Sequence, residues 1–132
     1  MAVELILDTT VLVDLEREAL AGVPGPAMAF LEAHPGERLY LTFTVAGELA
    51  AGPGVSGRAQ WEALIAPFEI LPATPDVCWH YGRAYRYLAT NGLTIGANDL
   101  WIAATALAHG HAVVTRNVRE YQRVPGLVVV GY

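Results

Sequence analysis

The sequence predicts an α/β protein in which a parallel sheet lies between helical layers. Two observations predict it. Short apolar runs with little alternation fit strands buried on both faces. Those runs alternate with stretches of helical periodicity, as repeated strand–helix units do. A length of 132 residues then fits one domain, residues 1–132.

The first strand is read from Val3, Leu5, Ile6 and Leu7, and it ends abruptly in Asp8-Thr9-Thr10. Thr9 or Thr10 is placed to cap the helix marked by Val11, Leu12 and Leu15, although Asp8 is itself a good capping residue. Gly22-Val23-Pro24-Gly25-Pro26 breaks that helix, and Pro26 suits the first turn of a second one running through Met28, Phe30 and Leu31 to Gly36. Leu39 to Phe43 is strand-like. A short helix follows over Val45 to Ala51 and closes at Gly52-Pro53-Gly54. Ser56 is expected to cap the next helix, with Trp61, Leu64 and Ile65 on one face. Phe68 to Leu71 forms a brief strand. Pro75 opens a long helix through Trp79, Tyr85 and Leu88 that stops at Asn91-Gly92. Asn98 is expected to cap a helix from Asp99 to about Ala108. Ala112 to Thr115 and Leu127 to Val130 complete the strands. Trp61, Trp79 and Trp101 fall in helical apolar patterns and are expected in the core.

Apolar residues make up 54% of the chain, enough for a full core, while charged residues make up 16%. That is below the usual share of about 25%, so some apolar surface is expected to meet a partner or a second copy. A net charge of −5 argues against a protein that coats nucleic acid, but not against a nuclease whose site is itself acidic. There is no lysine; all eight cations are arginine. Cys78 is alone, which excludes a disulfide framework and fits a reducing compartment, so a cytoplasmic location is expected. Glu4 and Asp8 stand where a signal peptide would be cationic. The longest run without Asp, Glu, Lys or Arg, Leu100 to Thr115, is shorter than the roughly 20 residues a membrane-spanning helix needs.

Three carboxylates stand out. Asp8 falls at the carboxyl end of a strand, where ligands of open α/β sheets bind. Glu48 follows the Leu39–Phe43 strand closely and is the only charge between Arg38 and Arg58. A capping box does not explain it, because Thr44 as cap would call for the acid at position 47. Asp99 favours the dipole at a helix start, yet the helix behind it is nearly all apolar. That places the carboxylate at the mouth of the core. A fourth region, Thr115-Arg116-Asn117-Val118-Arg119-Glu120-Tyr121, again ends a strand in polar groups. His109-Gly110-His111 lacks a third nitrogen or sulfur ligand nearby, so structural roles are favoured over zinc. Arg116, Arg119 and Arg123 either contact phosphate or solvate a loop.

Leu7-Asp8-Thr9-Thr10, the Glu48 segment, Asn98-Asp99-Leu100-Trp101-Ile102-Ala103 and the Thr115–Tyr121 stretch, in this order, resemble the PIN-domain ribonucleases, and more narrowly the VapC-type toxins of toxin–antitoxin pairs. The ending Arg123-Val124-Pro125-Gly126-Leu127 resembles that family too. The resemblance implies a three-layer α/β/α PIN-like fold and an acidic pocket that holds Mg²⁺, or Mn²⁺, and cleaves structured RNA. It implies that Asp8, Glu48 and Asp99 are catalytic and ligate the metal. The fourth catalytic position, often Asp in the family, falls on Asn117, which leaves open whether Asn117 or Glu120 fills it and whether one or two metals bind. Grouped carboxylates and water are the ligands hard divalent cations prefer, and the repulsion among them favours a bound cation.

The resemblance further implies a homodimer and a cognate antitoxin protein. Val11, Leu12, Leu15, Leu20, Met28, Phe30 and Leu31 on the first two helices are read as the antitoxin's dock, with a basic side chain of the partner entering the acidic pocket. Other readings are a housekeeping PIN nuclease and a catalytically silent PIN fold that binds RNA or protein. A phosphorylated receiver and an aspartyl-phosphate phosphatase also put an Asp after the first strand. Both ordinarily need a lysine, and the phosphatase an Asp where Thr10 stands.

Overall fold

A computed structural model describes residues 4–132. Among them five strands form one wholly parallel sheet. These are β1 (Leu5–Leu7), β2 (Leu39–Thr42), β3 (Glu69–Leu71), β4 (Ala112–Val114) and β5 (Val128–Val130), in the order β3-β2-β1-β4-β5. The helices are α1 (Thr9–Ala21), α2 (Pro26–Ala33), α3 (Phe43–Ala50), α4 (Arg58–Ile65), α5 (Pro75–Thr90), α6 (Ala97–His109) and the short α7 (Val118–Tyr121). The result is a three-layer α/β/α fold. Val3, read as part of the first strand, lies outside the described residues.

Every residue of β1 and β4 is buried, as strands covered on both faces must be. α6 packs against β2 and β4 and carries α5 and α3 on its other sides, while α1 and α2 pack together beside β1. Six α6 residues between Leu100 and Ala106 are buried, which is why that helix reads as apolar nearly all round. The strand order fixes where a ligand can sit. From β1 the chain moves outward to β2 and β3, then returns to the other side of β1 as β4 and continues to β5. The order reverses between β1 and β4, so a crevice opens beyond their carboxyl ends.

The expected strands and helices are present, with displaced ends. α3 begins at Phe43, two residues early, because Thr42 ends β2 and caps the helix through its hydroxyl, which accepts from the Val45 amide at 3.4 Å. Neither Thr9 nor Thr10 caps α1; Asp8 does, accepting from the Thr9 amide at 2.8 Å. Ser56 does not cap α4. Gly57 holds that position, and the Ser56 amide and hydroxyl donate to Gln60 Oε1 instead. The expected apolar face of α4 is only partly covered, and Leu64 is exposed.

Trp79 is not a core residue. It is 66% exposed, and Tyr85 is exposed too. α5 buries Val77, Ala84 and Leu88 instead, which puts Trp79 on the opposite face. Trp101 does pack inward, stacked on Tyr81 with centroids 4.0 Å apart, and the Trp61 indole donates to the Ala46 carbonyl at 2.9 Å. His111 lies at the other end of the sheet from the crevice, where it contacts Glu4 at 3.1 Å and stacks on Tyr40.

Candidate active site

Asp8 follows β1 directly, at the crevice, and is 2% exposed. Its carboxylate is held by four neutral donors. Oδ1 accepts from the Thr9 amide at 2.8 Å and the Tyr121 hydroxyl at 3.1 Å. Oδ2 accepts from Thr115 Oγ1 at 2.7 Å and Thr10 Oγ1 at 3.0 Å. Thr115 directly follows the neighbouring strand β4, so the parallel register that sets Leu7 beside Val114 also sets its hydroxyl on Asp8. The same hydroxyl accepts from the Asn117 amide at 2.9 Å, and the Arg116 amide donates to Thr10 Oγ1 at 3.2 Å. The loop after β4 is thereby strapped to the first turn of α1.

Asp99 enters from the first turn of α6, across the crevice. The Tyr121 hydroxyl lies 3.1 Å from Asp99 Oδ1 and 3.1 Å from Asp8 Oδ1. A phenol has one proton, so it cannot serve both carboxylates fully at once. Burial pushes the Asp99 carboxyl up to about 6, and the charges of Asp8 and Glu120 add to the shift. Burial and the same two aspartates push the Tyr121 hydroxyl far above its ordinary value, so it remains a donor.

Glu48, on α3, joins from the third side. Its Oε2 accepts from Thr9 Oγ1 and its Oε1 from Asn98 Nδ2, both at 3.0 Å. Asn98 was expected to cap α6. Gly96 holds that position, and the Asn98 side chain reaches Glu48 instead. Glu120 lies beside Asp99 and accepts from the Gly96 amide at 3.3 Å.

The structure thus brings Asp8, Glu48 and Asp99 into one hydrogen-bonded network, with Glu120 against Asp99. Asn117 stands at the amino end of α7 with an exposed side chain, and among the described residues only its backbone joins the network. Arg116 is pulled away from the acids by Asp14, its Nη1 donating to Asp14 Oδ1 at 2.9 Å. Sequence reasoning missed Thr115, Tyr121 and the bonding roles of Thr9, Thr10 and Asn98. The one available signal was the pair of hydroxyls that follows Asp8 and those of Thr115 and Tyr121 in the fourth motif.

The donor set has the chemistry of a site for a hard divalent cation. It is rich in carboxylate oxygen, partly desolvated, and has no cationic side chain within its network. Among the described residues no three acidic, imidazole or thiol groups converge closely enough to ligate one ion directly. Mg²⁺ tolerates that, because it keeps several of its waters and takes few protein ligands. Beside Glu120 a cavity of about 420 Å³ is lined by Arg116, Asn117, Arg119 and Arg123.

Comparison with known proteins identifies the family. The PIN domain profile matches residues 5–127. Ribonuclease VapC1 of Rickettsia felis is 31% identical over 96% of this chain and 94% of its own. Ribonuclease VapC1 of Haemophilus influenzae is 36% identical over 70% of this chain and 73% of its own. The crystal structure of VapBC2 from Rickettsia felis bound to a promoter DNA fragment matches with a TM-score of 0.78 and 26% identity, over 97% of this chain and 98% of that one. The chain belongs to the PIN-domain family and, within it, to the VapC ribonucleases.

Proposed function

We propose that this PIN-domain chain is a divalent-metal-dependent endoribonuclease that hydrolyses RNA phosphodiester bonds, and the toxin of a toxin–antitoxin pair. The observation that carries the reading is the carboxylate network of Asp8, Glu48 and Asp99 at the β1/β4 crevice, with Asp99 pushed up to about 6 and no cationic side chain to offset it. Asp8, Glu48 and Asp99 would hold Mg²⁺, with Mn²⁺ as the alternative. Held there, the ion would supply positive charge against the phosphate and would ease ionisation of the attacking water.

The chain's own residues do the positioning. Thr10 and Thr115 fix one Asp8 oxygen, leaving rotation of that carboxylate little freedom. Tyr121 holds Asp8 and Asp99 at a set separation without adding charge. Asn98 and Thr9 turn Glu48 towards them. Glu120, rather than Asn117, takes the fourth position, because it already lies against Asp99. Arg119 and Arg123, exposed at the adjoining cavity, are placed to meet the RNA's phosphates.

The partner is an antitoxin that covers the α1–α2 surface, where Leu20 is 83% exposed and Val13 and Val23 are exposed beside it. Val11 and Phe30, first read as part of this dock, are core residues. A basic side chain of the antitoxin would supply to the acids the charge they lack. Two such chains form a homodimer through exposed apolar surface outside α5, such as Leu64. No helix among the described residues is long and apolar enough to cross a membrane. The test is RNA cleavage by the purified chain with Mg²⁺ and with EDTA. Cleavage that stops in EDTA and in Asp99→Asn supports the reading; cleavage that survives both removes the metal mechanism. Glu120→Ala should impair cleavage far more than Asn117→Ala.

A further inference from the structure

We propose that the outward face of α5 is a track for the phosphate backbone of the RNA, leading away from the carboxylate site; the proposal rests on the ribonuclease reading above. Charge is divided along the chain. Ten of the thirteen acidic residues lie at or before Glu69, whereas Arg83, Arg86, Arg116, Arg119 and Arg123, five of the eight cations, lie after it. Of the three acids in that second part, Asp99 and Glu120 belong to the site. An acidic protein thus carries its cationic surface on the α5–α7 side.

On α5, Trp79, Arg83, Arg86 and Thr90 recur at helical spacing on the face opposite Val77, Ala84 and Leu88, and all four are exposed. From Trp79 to Thr90 the row extends roughly 16 Å by the helical rise. The surface beside it is concave. One groove is lined by His80, Arg83, Tyr87, Leu107 and Pro125, and it continues through Arg83 and Tyr87 to Arg86, Thr90 and Asn91. The carboxyl end of α5 abuts the active site through the following loop. The Gly96 amide donates to Glu120, and Arg123 Nη1 donates to the Thr94 carbonyl at 2.6 Å. Arg123, which lines the cavity beside Glu120, is thereby tied to the loop that follows α5.

Three guanidinium groups on this route are free of acids. Among the described residues Arg83, Arg86 and Arg119 enter no ion pair, whereas Arg17, Arg58 and Arg116 are each paired with an acid. An unpaired arginine fork matches phosphate geometry. Exposed Trp79 and Tyr87 beside the arginines offer faces on which unpaired bases stack. A second copy of the chain fits this row poorly, because a two-fold contact centred on it would set like charges together.

The test measures binding of fluorescein-labelled polyuridine RNA by anisotropy, in EDTA to prevent cleavage, over a range of KCl. The proteins are the wild type, Arg83→Gln/Arg86→Gln, and Arg58→Gln as a control remote from the track. Losing two phosphate contacts should flatten the slope of log affinity against log salt by about 1.4 and weaken low-salt binding by about tenfold. With Mg²⁺ present, the double variant should show a raised KM and an unchanged kcat. A wild type that cleaves RNA beside a double variant with unaltered slope and KM overturns the track and leaves the ribonuclease reading standing. A double variant whose sedimenting mass falls identifies the face as a subunit contact and also overturns it. A wild type that neither binds nor cleaves RNA removes both readings.

Discussion

Asp8 and Asp14 are both buried, one capping α1 and the other a turn and a half along it, yet their surroundings are opposite. Asp14 accepts from Arg116 at 2.9 Å, from Arg17 at 3.4 Å and from the Tyr132 hydroxyl at 2.6 Å. Two guanidinium groups compensate its charge, and burial together with Asp14 pushes the Tyr132 hydroxyl up to about 12. Asp8 has four donors, none of them charged, and shares the Tyr121 proton with Asp99. Burial of a carboxylate therefore does not by itself mark function. The missing counter-charge does, because a protein that carries out no chemistry there has no reason to leave acids uncompensated beside one another.

The contrast is broken most sharply by neutralising one member of each set. Asp99→Asn should lower RNA cleavage by at least about 100-fold, the upper range for disturbing a metal site. It should leave the metal-free melting temperature unchanged or higher, since it removes a repelling charge. Asp14→Asn should do the reverse, lowering stability by about 2 kcal/mol while sparing metal affinity. Cleavage assays and thermal melts of the two variants check this together.

Tyr121→Phe comes next. It removes the single proton between Asp8 and Asp99 and leaves both oxygens facing each other. A loss of about 1–3 kcal/mol is expected in chelator, with part of it regained on adding Mn²⁺. A melt with and without the ion reads both.

The pH dependence sharpens the comparison further. The folded Asp99 carboxyl sits at about 6 against an ordinary 3.8, so the folded state holds its proton more tightly than the unfolded chain. Its ionisation therefore destabilises the fold. The penalty is absent below about 4, grows as pH rises from 4 to 6, and is constant above. Metal-free wild type should accordingly lose stability relative to Asp99→Asn across that window. A difference that stays flat in urea unfolding from pH 4 to 7 would contradict the shift. The smallest effect belongs to Tyr132→Phe, about 1 kcal/mol, with no change in that pH window.

How much of this was legible in the sequence follows from the range of each interaction. Leu5–Leu7 and Ala112–Val114 declare themselves by local composition, and the α/β/α architecture follows from their alternation with helices. Asp8 was legible because it follows a strand, Asp99 because it opens an apolar helix, and Glu48 because it is the only charge between Arg38 and Arg58; the strand order then gathers them. The caps were misplaced at Thr9 or Thr10, Ser56 and Asn98 because a boundary shift of one or two residues reassigns the capping role. Tyr121 was missed for a different reason. Its partner Asp8 lies 113 positions away, and a tyrosine in a helical pattern reads as core, which it also is. Trp79 was misread because size and apolarity suggest burial, whereas only the phase of α5 relative to Val77, Ala84 and Leu88 shows which face it occupies.

The central claim is that the uncompensated carboxylates form a divalent-cation site. Calorimetric titration of Mn²⁺ into the chelator-stripped protein, the wild type beside Asp99→Asn and Asp14→Asn, tests it most directly. Saturable binding is expected in the wild type and in Asp14→Asn, and binding lost or weakened at least about tenfold in Asp99→Asn. A wild type that takes up no Mn²⁺, or an Asp99→Asn variant that binds it as tightly as the wild type does, would contradict it.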